Sequence, residues 1–197
     1  MKIISIIKLI LPFACTSSIA VAQENMIVKE FDYNYEPSGT NTLYYSYKGD
    51  ASPDIFIKND QEEINLTNSQ ETWDIEPDYS PDGSTIIYSS GSGMANMELR
   101  IMNADGSNNR EFYSSARTEV GADWSPDGER VIFSAIDSET KAADIMIVDK
   151  DGRGVKNLTE DLPGASTSPS WSPDGKVIIF ANKSSNDGQQ DIYVMDV

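Results

Sequence analysis

One short turn motif occurs four times along this chain of 197 residues, and its spacing limits the fold more than any other feature. The last three copies read aromatic-Ser-Pro-Asp-Gly and the first reads Tyr-Glu-Pro-Ser-Gly. The copies occupy residues 35–39, 79–83, 124–128 and 171–175, so their prolines are 44, 45 and 47 residues apart. A repeat of about 40–50 residues that contains strand-like segments is typical of the blades of a β-propeller.

The third repeat shows how each unit is predicted to fold. In its turn the proline presets φ, the aspartate can bond back to the backbone, and the glycine accepts a positive φ. β-Branched and aromatic residues then predict two strands at 130–134 and 144–148 and an outer strand at 155–159. A further strand ends at Trp124. We therefore predict an all-β fold, a β-propeller of four-stranded antiparallel blades, with four repeats present.

These elements resemble the Pro-Asp repeat (PD40, WD40-like) of the TolB-type β-propeller family. Its units read Trp-Ser-Pro-Asp-Gly, then an Ile-x-Phe strand, then Asp-Ile-Tyr-x-Met. The resemblance covers repeats near residues 31–67, 76–113, 121–159 and 168–197. It implies a binding module that docks an envelope partner, which for TolB is the peptidoglycan-associated lipoprotein of the Tol system. The α/β domain that precedes the TolB propeller has no counterpart here, so only the propeller is compared.

The number of blades stays open. Propellers of this repeat usually close with six or more blades, whereas four repeats are present. Either residues 26–30 supply an outer strand that closes a small ring, or the chain is the front part of a longer propeller. The abrupt end after a third strand at 191–195 favours the longer propeller.

The first 22 residues predict a secretory signal peptide. Lys2 and Lys8 give a basic start around an apolar run from Ile3 to Ala14, and the small residues Ala20 and Ala22 favour cleavage after Ala22. Cys15 raises a lipoprotein alternative, but leucine is missing three residues before it. We therefore predict a signal peptide at 1–22, a TolB-like propeller at 23–197, and a periplasmic or secreted location.

Composition excludes several kinds of chemistry. The sequence has no histidine, and its single cysteine lies in the predicted leader, so Ser-His-Asp and Cys-His nucleophile systems cannot form within it. Zinc sites built from histidine or cysteine are excluded as well. The formal net charge of −17 repels nucleic acid and anionic lipid, and we expect neither as a partner.

Several residue patterns could be mistaken for catalytic or metal sites. The repeated Asp82, Asp127 and Asp174 are better explained as turn caps than as catalytic carboxylates. The segments 149–152 and 105–106 look faintly like calcium loops, but Asp-Gly there favours hairpin turns. We predict no catalytic, cofactor or metal residue and leave a bound calcium ion as the alternative.

Two further patterns involve asparagine and tryptophan. The sequons at 65–67, 157–159 and 182–184 match the glycosylation signal, and the first two belong to a repeated outer strand. Trp124 and Trp171 occupy one repeat position, where packing is expected. Trp73 falls outside that position and is the tryptophan that we would consider for a partner surface.

These observations leave three functional hypotheses. The first is an exported, non-catalytic propeller that binds an envelope or secreted protein, or a small ligand at a propeller face. The second is the propeller portion of a larger secreted hydrolase of the prolyl-oligopeptidase type, because the same repeat occurs in such peptidases. The third is a small stand-alone propeller whose acidic central channel holds a cation or a basic peptide.

Overall fold

The computed structural model describes residues 4–5, 42–47, 52–59, 61–185 and 188–197, and the regular elements in them are all β-strands. In chain order the strands are β1 (Ile4–Ser5), β2 (Thr42–Ser46), β3 (Asp54–Lys58), β4 (Glu63–Asn65), β5 (Trp73–Tyr79), β6 (Thr85–Gly91), β7 (Met97–Asn103), β8 (Arg110–Tyr113), β9 (Thr118–Trp124), β10 (Arg130–Ile136), β11 (Ala143–Asp149), β12 (Lys156–Asn157), β13 (Ala165–Trp171), β14 (Val177–Lys183) and β15 (Gln190–Asp196). The first copy of the turn motif, the segment 26–30 and most of the predicted leader lie outside the described residues.

The strands form four antiparallel sheets, one for each repeat. The first blade is β2-β3-β4, the second β5-β6-β7-β8, and the third β9-β10-β11-β12. The fourth blade is β13-β14-β15 with β1 beside β15, where Ile4 pairs with Val194. The antiparallel blades predicted from the sequence are confirmed: three of the sheets have four strands, and the described part of the first blade has three. Among the described residues, contacts between sheets join consecutive blades, and the row of blades does not close.

The predicted strands of the third blade are present with small differences in length. The second and third strands each extend beyond the predicted ranges, to Arg130–Ile136 and Ala143–Asp149. The outer strand is shorter than predicted, since only Lys156–Asn157 pairs with β11. The Asn157 side chain accepts a hydrogen bond from the backbone N–H of Thr159 at 2.9 Å, which turns the chain away from the sheet.

The apolar core lies between blades because the residues of each strand alternate between two faces. In the third blade Val131 and Phe133 pack on the second blade, whereas Ile132 packs on the fourth. All three are fully buried. Ile55 and Ile86 form a smaller cluster between the first and second blades. A blade therefore buries its residues only with a neighbour on each side.

The first strands of the sheets, β5, β9 and β13, contact one another and form the inner side of the row. The Ser-Pro-Asp-Gly turns lie at one end of the blades, where β5, β9 and β13 lead into the second strands. We call this the turn face. The links between blades and the loops between second and third strands lie at the other end, which we call the link face. No helix in the described residues has the length and apolarity needed to cross a bilayer.

The turn face is packed from blade to blade. A Cβ atom on Gly128 would lie 3.7 Å from Cδ of Pro81, and one on Gly175 would lie 3.6 Å from Cδ of Pro126. These two turn glycines therefore lie against the proline of the preceding turn. Gly128 has φ of 70°, a conformation that other residues adopt only with strain.

Candidate functional site

The repeated aspartates cap their own turns. Asp127 Oδ1 accepts hydrogen bonds from Ser125 Oγ at 2.5 Å and from the backbone N–H of Glu129 at 3.1 Å. Ser125 Oγ in turn accepts from the N–H of Arg130 at 2.9 Å. Asp82 and Asp174 repeat the arrangement, and such bonds lower the pKa of all three carboxyls, for Asp82 to about 2. The capping role predicted from the sequence is confirmed.

The two segments that resemble calcium loops are hairpin turns. Gly106 and Gly152 have φ of 83° and 80°, and their N–H groups donate to the carbonyls of Asn103 and Asp149 at 2.9 Å. Asp105 Oδ1 accepts from Ser107 within its own turn. Within the described part of the chain, no group of three or more acidic, cysteine or histidine side chains is placed to hold a metal ion. Calcium binding stays an untested expectation.

The first two sequons belong to a repeated hydrogen-bond network that links the third strand of a blade to the residues of its outer strand. Thr159 is 1% exposed, and its Oγ1 accepts from the N–H of Ile145 at 3.0 Å and donates to Asp144 at 3.3 Å. In the first blade Thr67 makes the same contacts with Ile55 and Asp54. The Asn-Leu-Thr pattern therefore recurs because its threonine bonds to the third strand of the blade.

The asparagine of the third sequon is also part of the folded interior. Asn182 is 1% exposed, and its Nδ2 donates to Ser166 Oγ at 2.9 Å. An amide nitrogen in this position is not available to a glycosylating enzyme in the folded chain.

Trp124 and Trp171 are packing residues, as predicted. They are 7% and 8% exposed, and Arg130 lies over the ring of Trp171 at 4.9 Å from its centroid. Trp73 is half-buried and makes an edge contact with Tyr47, with ring centroids 6.0 Å apart. Tyr47 is 44% exposed, so this pair is the more accessible aromatic surface.

The inner strands carry a second set of carboxylates, which the sequence analysis missed. Asp78 Oδ2 accepts a hydrogen bond from the backbone N–H of Trp124 at 3.2 Å, and Asp123 Oδ2 accepts from that of Trp171 at 2.7 Å. Each bond joins one blade to the next, and we call these two bonds the inner latches. In the fourth blade the equivalent position is Ser170, which also bonds to Asp123.

The inner latches hold carboxyl groups in an unfavourable environment. Burial and the neighbouring Asp123 raise the pKa of Asp78 to about 7. Burial also raises the pKa of Asp123. Desolvation by neighbouring residues raises the pKa of Glu76 too, although Glu76 is exposed on the surface of the chain. These acids are therefore protonated more readily than those of the turn face.

A β-bulge interrupts each inner strand at one repeat position, next to the latches. The register shifts between Ile75 and Asp78 in β5 and at matching places in β9 and β13. The residues at the bulges, Glu76, Gly121 and Ser168, have φ of 52°, 65° and 55°. Positive φ is uncommon for residues other than glycine, so the bulges of β5 and β13 store strain.

A polar pocket of about 350 Å³ lies on the link face between the first and second blades. Its floor includes Asp74, which is 2% exposed and accepts from Ser90 Oγ at 2.5 Å. One wall carries Arg100, which contacts Glu98 at 2.8 Å and donates through Nε to Asn109 at 3.0 Å. Carboxylate, guanidinium, amide and hydroxyl groups thus converge on one cavity, the type of lining that orients a small polar ligand.

The latch acids and the pocket each left a faint signal in the sequence. Asp78 and Asp123 both precede the aromatic residue of the turn motif, which marks a repeated acid outside the turn. Arg100 occupies a position that holds Phe56, Met146 and Tyr193 in the other blades. A charged residue where other repeats are apolar is a departure that the alignment of repeats could have revealed.

Comparison with known proteins defines the family. The family model described as the TolB beta propeller domain, PD40, matches residues 91–197, which is more than half of the chain. The chain therefore belongs to the PD40 TolB β-propeller family. No protein of curated function matches the sequence.

Solved structures agree on the fold. TolB from Acinetobacter baumannii is 21% identical with a TM-score of 0.62, and the match covers 79% of this chain and 38% of that one. A protein assigned as TolB from Agrobacterium tumefaciens is 24% identical with a TM-score of 0.61, covering 82% and 56%. A puromycin-hydrolyzing peptidase of Mycobacterium tuberculosis is 14% identical with a TM-score of 0.66, covering 83% and 27%. The chain thus spans about half or less of the length of these proteins, and the likeness shows a shared fold.

Proposed function

We propose that this chain is an exported, non-catalytic propeller that docks a protein partner in the bacterial envelope. The observation that carries the proposal is that the repeated carboxylates of the chain accept hydrogen bonds from its own backbone. The turn acids cap backbone N–H groups, and the inner latches bind the next blade. A carboxylate held by such bonds is poorly placed to transfer protons to a substrate. Family membership and the TolB structures support a binding role in place of catalysis.

The alternative is the propeller portion of a larger secreted hydrolase. The structures that match include prolyl endopeptidases and the puromycin-hydrolyzing peptidase, and the chain spans 25% and 27% of those proteins. Reading the source DNA past codon 197 distinguishes the two proposals. A Gly-x-Ser-x-Gly segment followed by Asp and His would support the hydrolase.

The export part of the proposal is tested by expression of the full chain with a C-terminal tag in a Gram-negative host. We expect the tagged chain in the periplasmic fraction, with an N-terminus at Gln23. Recovery of the uncleaved chain from the cytoplasm alone would contradict export. A variant with Ala20→Asp and Ala22→Asp, which blocks the predicted cleavage site, serves as the control.

The binding part is tested with the partner that the resemblance to TolB implies. The soluble domain of the peptidoglycan-associated lipoprotein from the same organism is titrated against the purified chain by calorimetry. We expect saturable one-to-one binding. The control is an unrelated acidic protein of similar net charge, which separates specific docking from charge-driven association. Absence of saturation with this domain would reject the TolB-type partner.

A further inference from the structure

The pocket on the link face lies at the interface of the first and second blades, where one third-strand residue differs in kind from its counterparts at the two interfaces that follow. At the third-strand position of Arg100, the third and fourth blades carry Met146 and Tyr193, which pack against apolar clusters. In the second blade the arginine directs a charged group towards the first blade, and a cavity of about 350 Å³ remains there. At this position the second blade therefore has an accessible polar site where the third and fourth blades have a packed apolar side chain.

The groups that line the pocket form a connected network. Arg100 bonds to Glu98 at 2.8 Å and to Asn109 at 3.0 Å, and it also interacts with the phenol of Tyr88. A guanidinium has five N–H donors, so this network leaves donors for a ligand. The floor carboxylate, Asp74, has one oxygen bonded to Ser90 at 2.5 Å and the other at a long 3.4 Å from Thr72. Thr67 also donates to this carboxylate, so three of its about four acceptor sites are used and one is left for a ligand hydroxyl.

The charged groups in the pocket are one guanidinium and two carboxylates. The guanidinium of Arg100 and the carboxylate of Glu98 neutralise each other at 2.8 Å. Burial and the carboxylate of Asp54 raise the pKa of Asp74, whose charge has no cationic partner of its own among the described residues. An anion therefore gains no charge attraction here. A ligand with several hydroxyl groups can both donate to the carboxylate and accept from the guanidinium and the amides.

We propose that this pocket binds a neutral sugar of monosaccharide size through the carboxylate of Asp74, the guanidinium of Arg100 and the amide of Asn109. The cavity falls within the size range of sites for small ligands. An acidic sugar is disfavoured, because its carboxylate would face those of Asp74 and Glu98. The site is independent of a protein partner, so its failure and the failure of the docking proposal are separate results.

The test is a titration of the purified full chain with D-glucose, D-galactose and N-acetyl-D-glucosamine, followed by saturation-transfer NMR and calorimetry. For ligands of this size we expect a Kd of about 1 mM for at least one of the three. D-Glucuronate and D-glucosamine serve as the anionic and cationic probes. D-Glucuronate should bind at least tenfold more weakly than the best neutral sugar, and D-glucosamine should bind no more tightly than that sugar.

Variants connect the binding to the pocket. Arg100→Met installs the residue of the third blade, and we expect at least a tenfold loss of affinity without a drop in melting temperature. Arg110→Met makes the same change at an exposed position of β8 and should bind as the parent chain does. Asn109→Ala, at an exposed residue, provides a second variant in case Arg100→Met does not fold.

Three outcomes would overturn the proposal. One is the absence of saturable binding by all three neutral sugars. Another is binding that survives in both Arg100→Met and Asn109→Ala. The third is tighter binding of D-glucuronate or D-glucosamine, which would show that the pocket recognises charge.

Discussion

The third and fourth blades carry the same apolar residues at equivalent positions, but only the third blade buries them. Ile132 and Ile145 are fully buried against the fourth blade. Their counterparts in the fourth blade, Ile179 and Ile192, are 46% and 47% exposed. The sheets themselves are alike, so the difference comes from the neighbour. It shows that a blade sequence specifies two apolar faces, while burial of each face depends on the sheet next to it.

The largest expected effect compares Ile132→Ala with Ile179→Ala. Ile132→Ala removes a fully buried side chain and leaves a cavity between blades, so we expect a loss of about 2–5 kcal/mol in the free energy of unfolding. Ile179→Ala changes an exposed side chain and should cost no more than about 0.5 kcal/mol. Urea unfolding followed by tryptophan fluorescence measures both. Equal losses would contradict the assignment of the two faces.

The next effect concerns the inner latches, which join the second to the third and the third to the fourth blade. In the folded chain the pKa of Asp78 is about 7, against 3.8 as its ordinary value. The folded state therefore binds more protons than the unfolded state between about pH 4 and 7, and stability falls as pH rises through this window. From pH 5 to 8 this carboxyl should lower the free energy of unfolding by about 2–3 kcal/mol.

Asp78→Asn tests this dependence, because the amide oxygen can still accept from Trp124 but does not titrate. We expect the variant to be more stable than the parent chain at pH 8 and to show a flatter profile from pH 5 to 8 in urea titrations. Asp82→Asn is the control. Its carboxyl has a lowered pKa, so its contribution is present above about pH 4 and is lost only in more acidic solution. A parent chain that gains stability from pH 5 to 8 would contradict the prediction.

A smaller difference in stability is expected between variants of two aspartates near the start of the third strands, one in the third blade and one in the fourth. Asp144 bonds to Arg117 at 2.7 Å and to the buried Thr159. For Asp191, its counterpart in the fourth blade, no such partner occurs among the described residues. We expect Asp144→Asn to cost about 1 kcal/mol, and Asp191→Asn less than about 0.5 kcal/mol, in thermal unfolding. A larger effect at Asp191 would reverse the comparison.

The parts of the fold that depend on neighbouring residues could be predicted from the sequence. The Ser-Pro-Asp-Gly turns are one case, because proline, aspartate and glycine act there through local backbone geometry. The central strands of each blade are another, since runs such as 130–134 favour a strand wherever they pack. The outer strand was predicted too long because the side chain of Asn157 competes with the sheet for backbone N–H groups.

The candidate sites depend on residues that are far apart in the sequence, and local patterns did not reveal them. The pocket is lined by residues from Thr67 to Asn109, which belong to two blades and the link between them. The inner latches were missed because the aspartate and the N–H that it binds lie 46 and 48 residues apart. The bulge at Glu76 was missed because no glycine marks its positive φ.

The direction of the inner latches has a consequence for synthesis on the ribosome. Each carboxylate is translated before the N–H that it binds, by 46 residues for Asp78 and by 48 for Asp123. At elongation rates of about 5–20 residues per second, the carboxylate precedes its donor by about 2–10 s. During that interval water solvates the acid, and the raised pKa is established only when the next blade docks. Each docking step is thereby marked by a change in proton affinity.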